Sequence, residues 1–214
     1  MYQLKHTSQE QLSSVAVCHI ASFPLSFGTK LGLAYTKKSL EWFLAGNNRF
    51  LFHISNDDKV IGYCGGFQSK GLGDGSTSGM MLYAMKEAAI GMIKKPWLFF
   101  HKDIIRFYPL IIKNIFKKLT GKKSSSFSSV ETNNKLSAVG LVVIGVHPDY
   151  RGKGCFELLM KHFEETCKQR NAAKMILSVK ASNKRAIAAY KKAGWQTGLQ
   201  TPKAIEMHKW LEHD

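Results

Sequence analysis

Apolar and polar residues change their period along the chain, and the changes separate strands from helices. Short runs rich in β-branched and aromatic residues predict strands. These runs are residues 2–6, 49–55, 59–67, 138–146, 174–179, 195–199 and 204–210. Apolar residues spaced by three and four predict helices. Those stretches are residues 8–24, 36–46, 151–170 and 183–193. Strands and helices in this order predict an α/β (α+β) fold.

The middle of the chain departs from this pattern. Residues 68–79 are rich in glycine and predict a loop, and residues 121–137 are polar and predict a surface linker. Residues 80–120 between them are both apolar and basic. A chain of 214 residues can form one large domain. We therefore expect a single domain over residues 1–214 with an insertion at 68–137.

Composition adds a strong charge to this picture. The net charge is +16, which indicates an anionic partner such as nucleic acid, a membrane surface or a phosphorylated small molecule. The four cysteines form no C-x-x-C pair, which argues against a zinc knot and favours a reducing cytoplasm. The first residues lack the apolar core of a signal peptide, and no run of about 18 uncharged apolar residues is present.

Half of the excess charge lies in the insertion. Residues 86–123 hold ten Lys or Arg and two acids, a net charge of +8. Lys95, Lys102, Arg106, Lys113 and Lys117 would form one stripe on a continuous helix, and Pro109 would kink it. The aromatic and aliphatic residues of the opposite side are Trp97, Phe100, Ile104, Phe107, Tyr108, Ile111 and Ile115.

This amphipathic pattern has two interpretations. Residues 80–119 could contact the cytoplasmic side of an anionic membrane as a peripheral surface. Alternatively, they could form one wall of a site for a large anionic acceptor. Equally, a helical hairpin could pack its apolar side on the core and solvate its lysines. Nucleic acid is a less suitable partner, because the aromatic residues lie away from the cations and cannot interleave with them for base stacking.

The segment Arg151–Phe156 joins a predicted strand to a predicted helix and holds two glycines and two cations. The first amides of a helix lack internal partners, and glycine lets the backbone approach an oxyanion closely. The segment therefore predicts a pyrophosphate cradle, with a basic turn that binds nothing as an equal alternative. Its spacing is that of neither a P-loop nor a dinucleotide-binding turn.

Two signatures together resemble the GNAT acetyltransferase superfamily. Residues 151–156, RGKGCF, match R-x-x-G-x-[GA] except at Phe156, and residues 183–195 match N-x-x-A-x-x-x-Y-x-x-x-G-[FW]. The resemblance is strong over 138–210, weak over 1–67 and absent over 68–137. It implies a mostly antiparallel, twisted sheet in which the parallel strands 138–146 and 174–179 splay apart around the pantetheine arm of acetyl-CoA.

The resemblance also implies site residues. The coenzyme contacts implied in this way are Ile144, Gly145, Val146, Arg151, Gly152, Lys153, Gly154, Cys155, Phe156, Asn183 and Tyr190. Tyr190 is predicted to be the general acid, on the expectation that proton transfer from a phenol of pKa ~10 to a thiolate of ~8–9 runs downhill. Tyr190 could instead pack its ring in the core. Asn183 is predicted to position the pantetheine or a water, and could also cap a helix.

The general base is left open by the sequence. His53, His147 and Glu206 are candidates, and deprotonation through water is an alternative. No metal is expected. The resemblance implies transfer of an acetyl group from acetyl-CoA to a primary amine. A looser similarity of the insertion to acetyltransferases of bacterial surface-polysaccharide pathways implies an amino sugar on a nucleotide or lipid-linked carrier. The alternatives are a protein N-terminal or lysine acetyltransferase and a non-catalytic module that binds coenzyme A, anions or membrane.

Overall fold

The fold is built around one mixed sheet. The computed structural model describes residues 2–68, 76–101, 105 and 137–212, with the backbone alone at 76–78. The strands are β1 Tyr2–His6, β2 Arg49–Asn56, β3 Lys59–Gln68, β4 Ala138–Val146, β5 Lys174–Lys180, β6 Gln196–Gln200 and β7 Ala204–Trp210. The strand order is β1-β2-β3-β4-β5-β7-β6, and the β4–β5 pair is parallel whereas the other pairs are antiparallel.

Helices lie on both faces of this sheet. The described α-helices are α1 Leu12–Ser22, α2 Phe27–Leu31, α3 Leu33–Glu41, α4 Ser76–Tyr83, α5 Met85–Lys94, α6 Cys155–Gln169 and α7 Lys184–Lys192. Short 3₁₀ helices cover Trp42–Leu44, Pro96–Phe100 and Pro148–Tyr150. The predicted fold class is confirmed, and the structure adds α2, which Ser26 caps by accepting the amide of Thr29 at 3.1 Å.

The alternating side chains of β2 pack into two separate cores. Phe50, Phe52 and Ile54 of β2 pack with Leu159 and Phe163 of α6 on one face. The intervening Leu51 packs on the other face, in a cluster formed with residues of α1 and α3. This is the period of two expected for a strand buried on both sides. The sheet is therefore a central layer between α6 and α7 on one side and α1 and α3 on the other.

The two parallel strands separate shortly after they meet. Ladder pairing of β4 with β5 covers only Ala138–Gly140 and Lys174–Ile176, although both strands continue beyond that point. On its other side β4 pairs with β3 as far as Val146, with a register shift between Gly65 and Gly66 that leaves Val142 as an extra residue. The predicted splay of these strands is present.

Several predicted boundaries are wrong. The helix predicted from Arg151 begins at Cys155, because Gly152 and Gly154 have left-handed backbone conformations that end the preceding turn. The loop predicted over 68–79 gives way to α4 at Ser76. Residues 69–75, and the linker predicted at 121–136, lie outside the described residues.

The helix predicted through Lys95 is also wrong. Helix α5 ends at Lys94, and Pro96 starts a 3₁₀ helix, since proline cannot continue the helical hydrogen bonds. Lys95 turns back and donates from Nζ to the carbonyl of Lys30 at 2.8 Å, so it does not join an outward basic stripe. The other members of that stripe lie outside the described residues. None of the described helices has the length and apolar character needed to cross a bilayer.

Candidate active site

A cleft of about 590 Å³ lies where β4 and β5 separate. It is lined from both faces of the sheet, by the end of α1 on one side and by the first turn of α6 and by α7 on the other. Residues of β4 and β5 form the edges of the gap between the two sides. The lining residues include Ser22, Phe23, Val142, Val143, Ile144, Gly145, Val146, Tyr150, Arg151, Gly152, Phe156, Glu157, Ser178, Val179, Asn183, Arg185, Ala186, Ala189 and Tyr190.

One end of the cleft is formed by the glycine turn before α6. Gly152 and Gly154 have φ values of 76° and 77°, and a Cβ at either position would meet nothing within 4 Å. Within the described part of the chain, the amides of Gly152, Lys153 and Gly154 donate no backbone hydrogen bond. With the partner-less first amides of α6, the turn presents a concentrated set of donors. This arrangement fits a diphosphate.

The cations of this turn have different positions. The Arg151 guanidinium donates to the carbonyl of Ser22 at 2.9 Å and to that of Val146 at 3.3 Å, so it connects the end of α1 to the end of β4. Lys153 is exposed, with its Nζ 5.2 Å from the centre of the Tyr150 ring, and does not line the cleft. Arg151 therefore contributes to the wall of the cleft through contacts with the protein, which the sequence did not indicate.

The next two residues of the signature point in different directions. The Cys155 side chain is buried in the α6 core, where burial raises the pKa of its thiol, so only its backbone can face a ligand. Phe156 does line the cleft, and its ring lies 5.7 Å from the ring of Tyr190. The large side chain at Phe156 therefore packs against Tyr190 in the wall of the cleft.

Tyr190 combines the two roles that the sequence left open. Its ring is buried between Phe156 and Trp195, and the residue also lines the cleft. Burial raises the pKa of Tyr190 well above 10, so the phenol keeps its proton at neutral pH. The expected downhill transfer is wrong, because a phenol is a weaker acid than a thiol of pKa ~8.5 and burial widens the difference. Tyr190 can donate a hydrogen bond to developing charge on sulfur and release its proton as the bond to sulfur breaks.

Helix α7 explains the second signature residue by residue. Asn183 caps the helix by accepting the amide of Ala186 at 3.2 Å. Gly194 ends it with a φ of 83°, which allows the amide of Trp195 to reach the carbonyl of Tyr190 at 3.0 Å. Ala186 lines the cleft with a small side chain. The signature therefore specifies a short capped helix that presents Tyr190 to the cleft.

Two candidate bases are separated from the cleft. His53 is buried on the α1 face, where its Nδ1 is 2.9 Å from Oγ1 of Thr7 and burial lowers its pKa. His147 caps the 3₁₀ helix after β4 by accepting the amide of Asp149, and it borders a different cavity beside Cys18. Neither histidine lines the cleft, and both have the structural roles that lone histidines often have.

The third candidate lies beside the cleft. Glu206 on β7 is the cross-strand neighbour of Ser178 on β5, and Ser178 lines the cleft. Met207 and Val179, the next residues along the two strands, point into the α6 core. Glu206 and Ser178 therefore share the opposite face. The side chain of Glu206 is exposed there.

A pair formed by the half-buried His19 and the buried Tyr63 supports the opposite wall. Nδ1 of His19 lies 2.6 Å from the hydroxyl of Tyr63, and the His19 ring also packs on Phe23 at a centroid distance of 5.2 Å. Tyr63 covers Gly145, where an added Cβ would lie 2.5 Å from its ring. Burial lowers the pKa of His19 to about 4, so the imidazole is neutral at pH 7. The pair thus connects the α1 wall to the end of β4.

Sequence patterns did not reveal the α1 side of the cleft. Ser22 and Phe23 end an ordinary amphipathic helix, and Arg185 occupies a position in the second signature that any residue can take. Ser178 could have been found, because it lies five residues before Asn183 at the end of a predicted strand. The α1 residues reach the site only because the helix crosses β4.

The sequence of the cleft-forming segment matches a known family. Residues 125–195 match the model of the acetyltransferase (GNAT) family. The match covers 71 of the 214 residues. The GNAT segment contains the glycine turn, the capped helix and Tyr190, which together form much of the cleft.

Individual proteins resemble this chain either over a short stretch of sequence or over the whole fold at low sequence identity. A putative ribosomal protein bS18-alanine N-acetyltransferase from Bacillus subtilis is 40% identical over 55 residues, which are 26% of this chain and 36% of that protein's length. The ribosomal-protein-S18-alanine N-acetyltransferase of Escherichia coli has 17% identity and a TM-score of 0.53, covering 100% of this chain and 96% of that one. The PaiA N-acetyltransferase of Thermoplasma acidophilum, solved with coenzyme A, has 10% identity and a TM-score of 0.56, covering 98% and 99%. The two solved structures share the fold of this chain.

Proposed function

We propose that the protein is an N-acetyltransferase that moves an acetyl group from acetyl-CoA directly to a primary amine. The observation that carries the proposal is the cleft between β4 and β5, which is lined by Gly152 of the glycine turn and by Tyr190. The match of residues 125–195 to the GNAT family supports the same activity.

The described residues fit acetyl-CoA. The open space around Gly152 and Gly154, together with their unpaired amides, would hold the diphosphate. Beyond Gly140, β4 makes no ladder pair with β5, which leaves room for an extended arm along Ile144–Val146. Acetyl-CoA supplies an activated acetyl thioester at the far end of that arm. Asn183 contributes by capping α7 and so orienting Tyr190.

In the proposed reaction, Tyr190 donates one proton and Glu206 accepts another. The acceptor ammonium first releases one proton to water, and the neutral amine nitrogen then forms a bond to the acetyl carbon as the carbon–sulfur bond breaks. Tyr190 Oη gives a proton to the departing sulfur and regains one from solvent. We assign the carboxylate of Glu206 to the proton that the amine loses, because Glu206 is exposed on the same face of the sheet as its cross-strand neighbour Ser178, which lines the cleft. The side chain of His53 is instead held by Thr7, and that of His147 caps a 3₁₀ helix.

The acceptor in this proposal is the α-amine of a protein N-terminus. The names of the Bacillus subtilis and Escherichia coli relatives specify alanine α-amines of a ribosomal protein. An exposed carboxylate at Glu206 also suits an acceptor that arrives as an ammonium ion. The amino-sugar acceptor expected from the insertion has no support from the comparisons.

The test begins with coenzyme binding and then measures transfer. Calorimetry with coenzyme A establishes whether the protein binds the coenzyme. Thiol release from acetyl-CoA is then followed with a peptide that begins with alanine, the same peptide with a blocked N-terminus, and a nucleotide-linked amino sugar. We expect turnover with the free peptide alone. Coenzyme binding without turnover on any amine would support a non-catalytic module and contradict the proposal.

Glu206→Gln tests the assigned base. The substitution keeps the size of the side chain but removes the group that accepts the proton, so kcat should fall roughly 10²-fold while coenzyme affinity stays unchanged. Glu212→Gln is a matched control because Glu212 lies beyond the end of β7. Unchanged turnover of Glu206→Gln across pH would assign deprotonation to water.

We also propose a peripheral contact between residues 80–119 and an anionic membrane. Within the described residues, the support comes from the segment 80–100, which exposes several large apolar side chains.

A further inference from the structure

The segment from α4 to the following 3₁₀ helix is apolar on two opposite sides. One side packs on the protein: Ala84 and Leu98 are buried, and Gly91 lies so close to Leu31 that a Cβ would be 2.7 Å from the Leu31 carbonyl oxygen. Most helices that cover a core are polar on the side away from it. This segment is not, because large apolar side chains also face outward.

These outward side chains form what we call the apolar face. Its members are Leu82, Met85, Ile93, Trp97 and Phe100, which are 61–80% exposed. Met85 and Ile93 are eight residues apart on α5 and share one side of that helix. Trp97 and Phe100 are three residues apart on the 3₁₀ helix and also share a side. Single exposed apolar residues are ordinary, but five within 19 residues indicate an interaction surface.

The charges beside the apolar face select its partner. Lys86 follows Met85 and Lys94 follows Ile93, and both lysines are exposed. The only acid in residues 76–101 is Glu87, and its Oε2 atom is buried. Apolar side chains that include tryptophan, bordered by lysines, match the chemistry of an anionic lipid surface: the apolar groups enter the headgroup boundary and the ammonium groups stay at the phosphates.

Other occupants fit less well. Two copies of a chain with a net charge of +16 repel each other, which disfavours self-association through a basic face. Nucleic acid would leave the apolar side chains in water. We therefore propose that the apolar face, with Lys86 and Lys94, seats the protein on the surface of an anionic membrane.

The position of the face gives this contact a consequence that rests on the proposed acetyltransferase function. Met80 and Tyr83 of α4 pack on the same cluster as Val142 and Val143, which line the cleft. The segment that carries the apolar face is therefore attached to the β4 edge of the cleft. A membrane contact there would bring the β4 edge of the cleft close to the lipid surface.

Vesicle flotation of the full chain tests the proposal. We expect the protein to float with phosphatidylcholine vesicles that contain phosphatidylglycerol and to remain below vesicles of phosphatidylcholine alone. Trp97→Ser combined with Phe100→Ser should lower the bound fraction about tenfold or more, since two of the largest apolar groups are lost. Lys86→Glu combined with Lys94→Glu should remove the preference for the anionic lipid.

Matched controls distinguish vesicle binding through the apolar face from nonspecific adsorption of the protein. Leu199→Ser combined with Trp210→Ser changes two exposed apolar residues on β6 and β7, and should leave flotation unchanged. Acetyl transfer to a soluble amine, measured without vesicles, should be the same for Trp97→Ser/Phe100→Ser as for the wild type. Flotation without any transferase activity would therefore contradict the proposed function but would still support the proposed membrane contact.

Three results would overturn the proposal. The first is wild-type protein that floats with neither vesicle. The second is a dimer in sedimentation that Trp97→Ser/Phe100→Ser dissociates, which would assign the face to a second copy. The third is low acrylamide quenching of the Trp97 contribution to fluorescence without vesicles, which would show that another part of the chain covers the face.

Discussion

The segments 138–195 and 76–100 contain similar residue types but bury them differently. In the first, Phe156, Tyr190 and Trp195 pack against one another at centroid distances of 5.7 and 5.8 Å, beside the cleft. In the second, Trp97 and Phe100 face outward at 65% and 80% exposure. The sheet gives the aromatic residues of the first segment an internal partner. The outward residues of the second have no comparable partner among the described residues, which is why a surface contact accounts for them.

This comparison predicts that acetyl transfer depends on residues 138–195, whereas binding to a membrane depends on residues 76–100. Substitutions in residues 138–195 should change turnover or coenzyme affinity in solution. Substitutions on the apolar face should change membrane binding alone. Four substitutions at or beside the cleft test this division.

Tyr190→Phe should have the largest effect. Removing the proton donor should lower kcat roughly 10²- to 10³-fold, while calorimetric affinity for coenzyme A stays near the wild-type value because the ring still packs. The raised pKa of Tyr190 also means that kcat of the wild type should show no loss from its ionisation between pH 7 and about 9. Tyr35→Phe, on α3, is the control and should retain full turnover.

Gly154→Ala should weaken coenzyme binding about tenfold. A non-glycine residue in the left-handed region costs roughly 1–2 kcal/mol, so the turn would shift away from the geometry that presents its amides. Titration with coenzyme A measures the effect. Gly198→Ala on β6 is the control, because Gly198 does not have a positive φ. Equal affinity in Gly154→Ala would argue against the turn as the diphosphate site.

His19 should make stability depend on pH. Burial lowers its pKa from 6.5 to about 4, so below pH 6.5 the unfolded chain binds a proton that the native imidazole does not. His19 therefore stabilises the fold above pH 6.5, and this contribution is lost as the pH falls toward 4. Its share of the free energy of unfolding should be about 2 kcal/mol smaller at pH 5 than at pH 7.

Urea unfolding of wild type and His19→Gln at both pH values measures this share. Lowered pKa values of His53 and His162 act in the same direction in both proteins, so the difference between the proteins isolates His19. An identical pH dependence in the two proteins would contradict the burial of a neutral His19 against Tyr63.

Asn183→Ala should have the smallest effect. Loss of the cap of α7 should lower the free energy of unfolding by about 1 kcal/mol, and Asn183→Ser should restore most of it. If Asn183 acts only as a cap, kcat will recover in Asn183→Ser together with stability. Recovered stability with low kcat would instead indicate a direct contact with the coenzyme or a water.

Local rules predicted most of the coenzyme side. The glycine turn, the cap at Asn183 and the end of α7 at Gly194 depend on neighbours within a few residues, so their spacing carries the information. These rules failed where the role of a side chain depends on contact with a residue far away in the chain. The same local information placed His53 and His147 as candidate bases, although the fold buries His53 against Thr7 and uses His147 as a cap.

Residue patterns alone predicted the strands, the glycine turn, the position of Tyr190 on its helix and the charge of the insertion, because each depends on local backbone preference or on composition. They did not predict that Ser22 and Phe23 line the cleft, that Arg151 donates to two carbonyls, or that Glu206 lies beside Ser178. These are contacts between residues far apart in the chain, and they arise from how α1 crosses β4 and how β7 pairs with β5. No periodicity within a segment can encode which segment will lie against it.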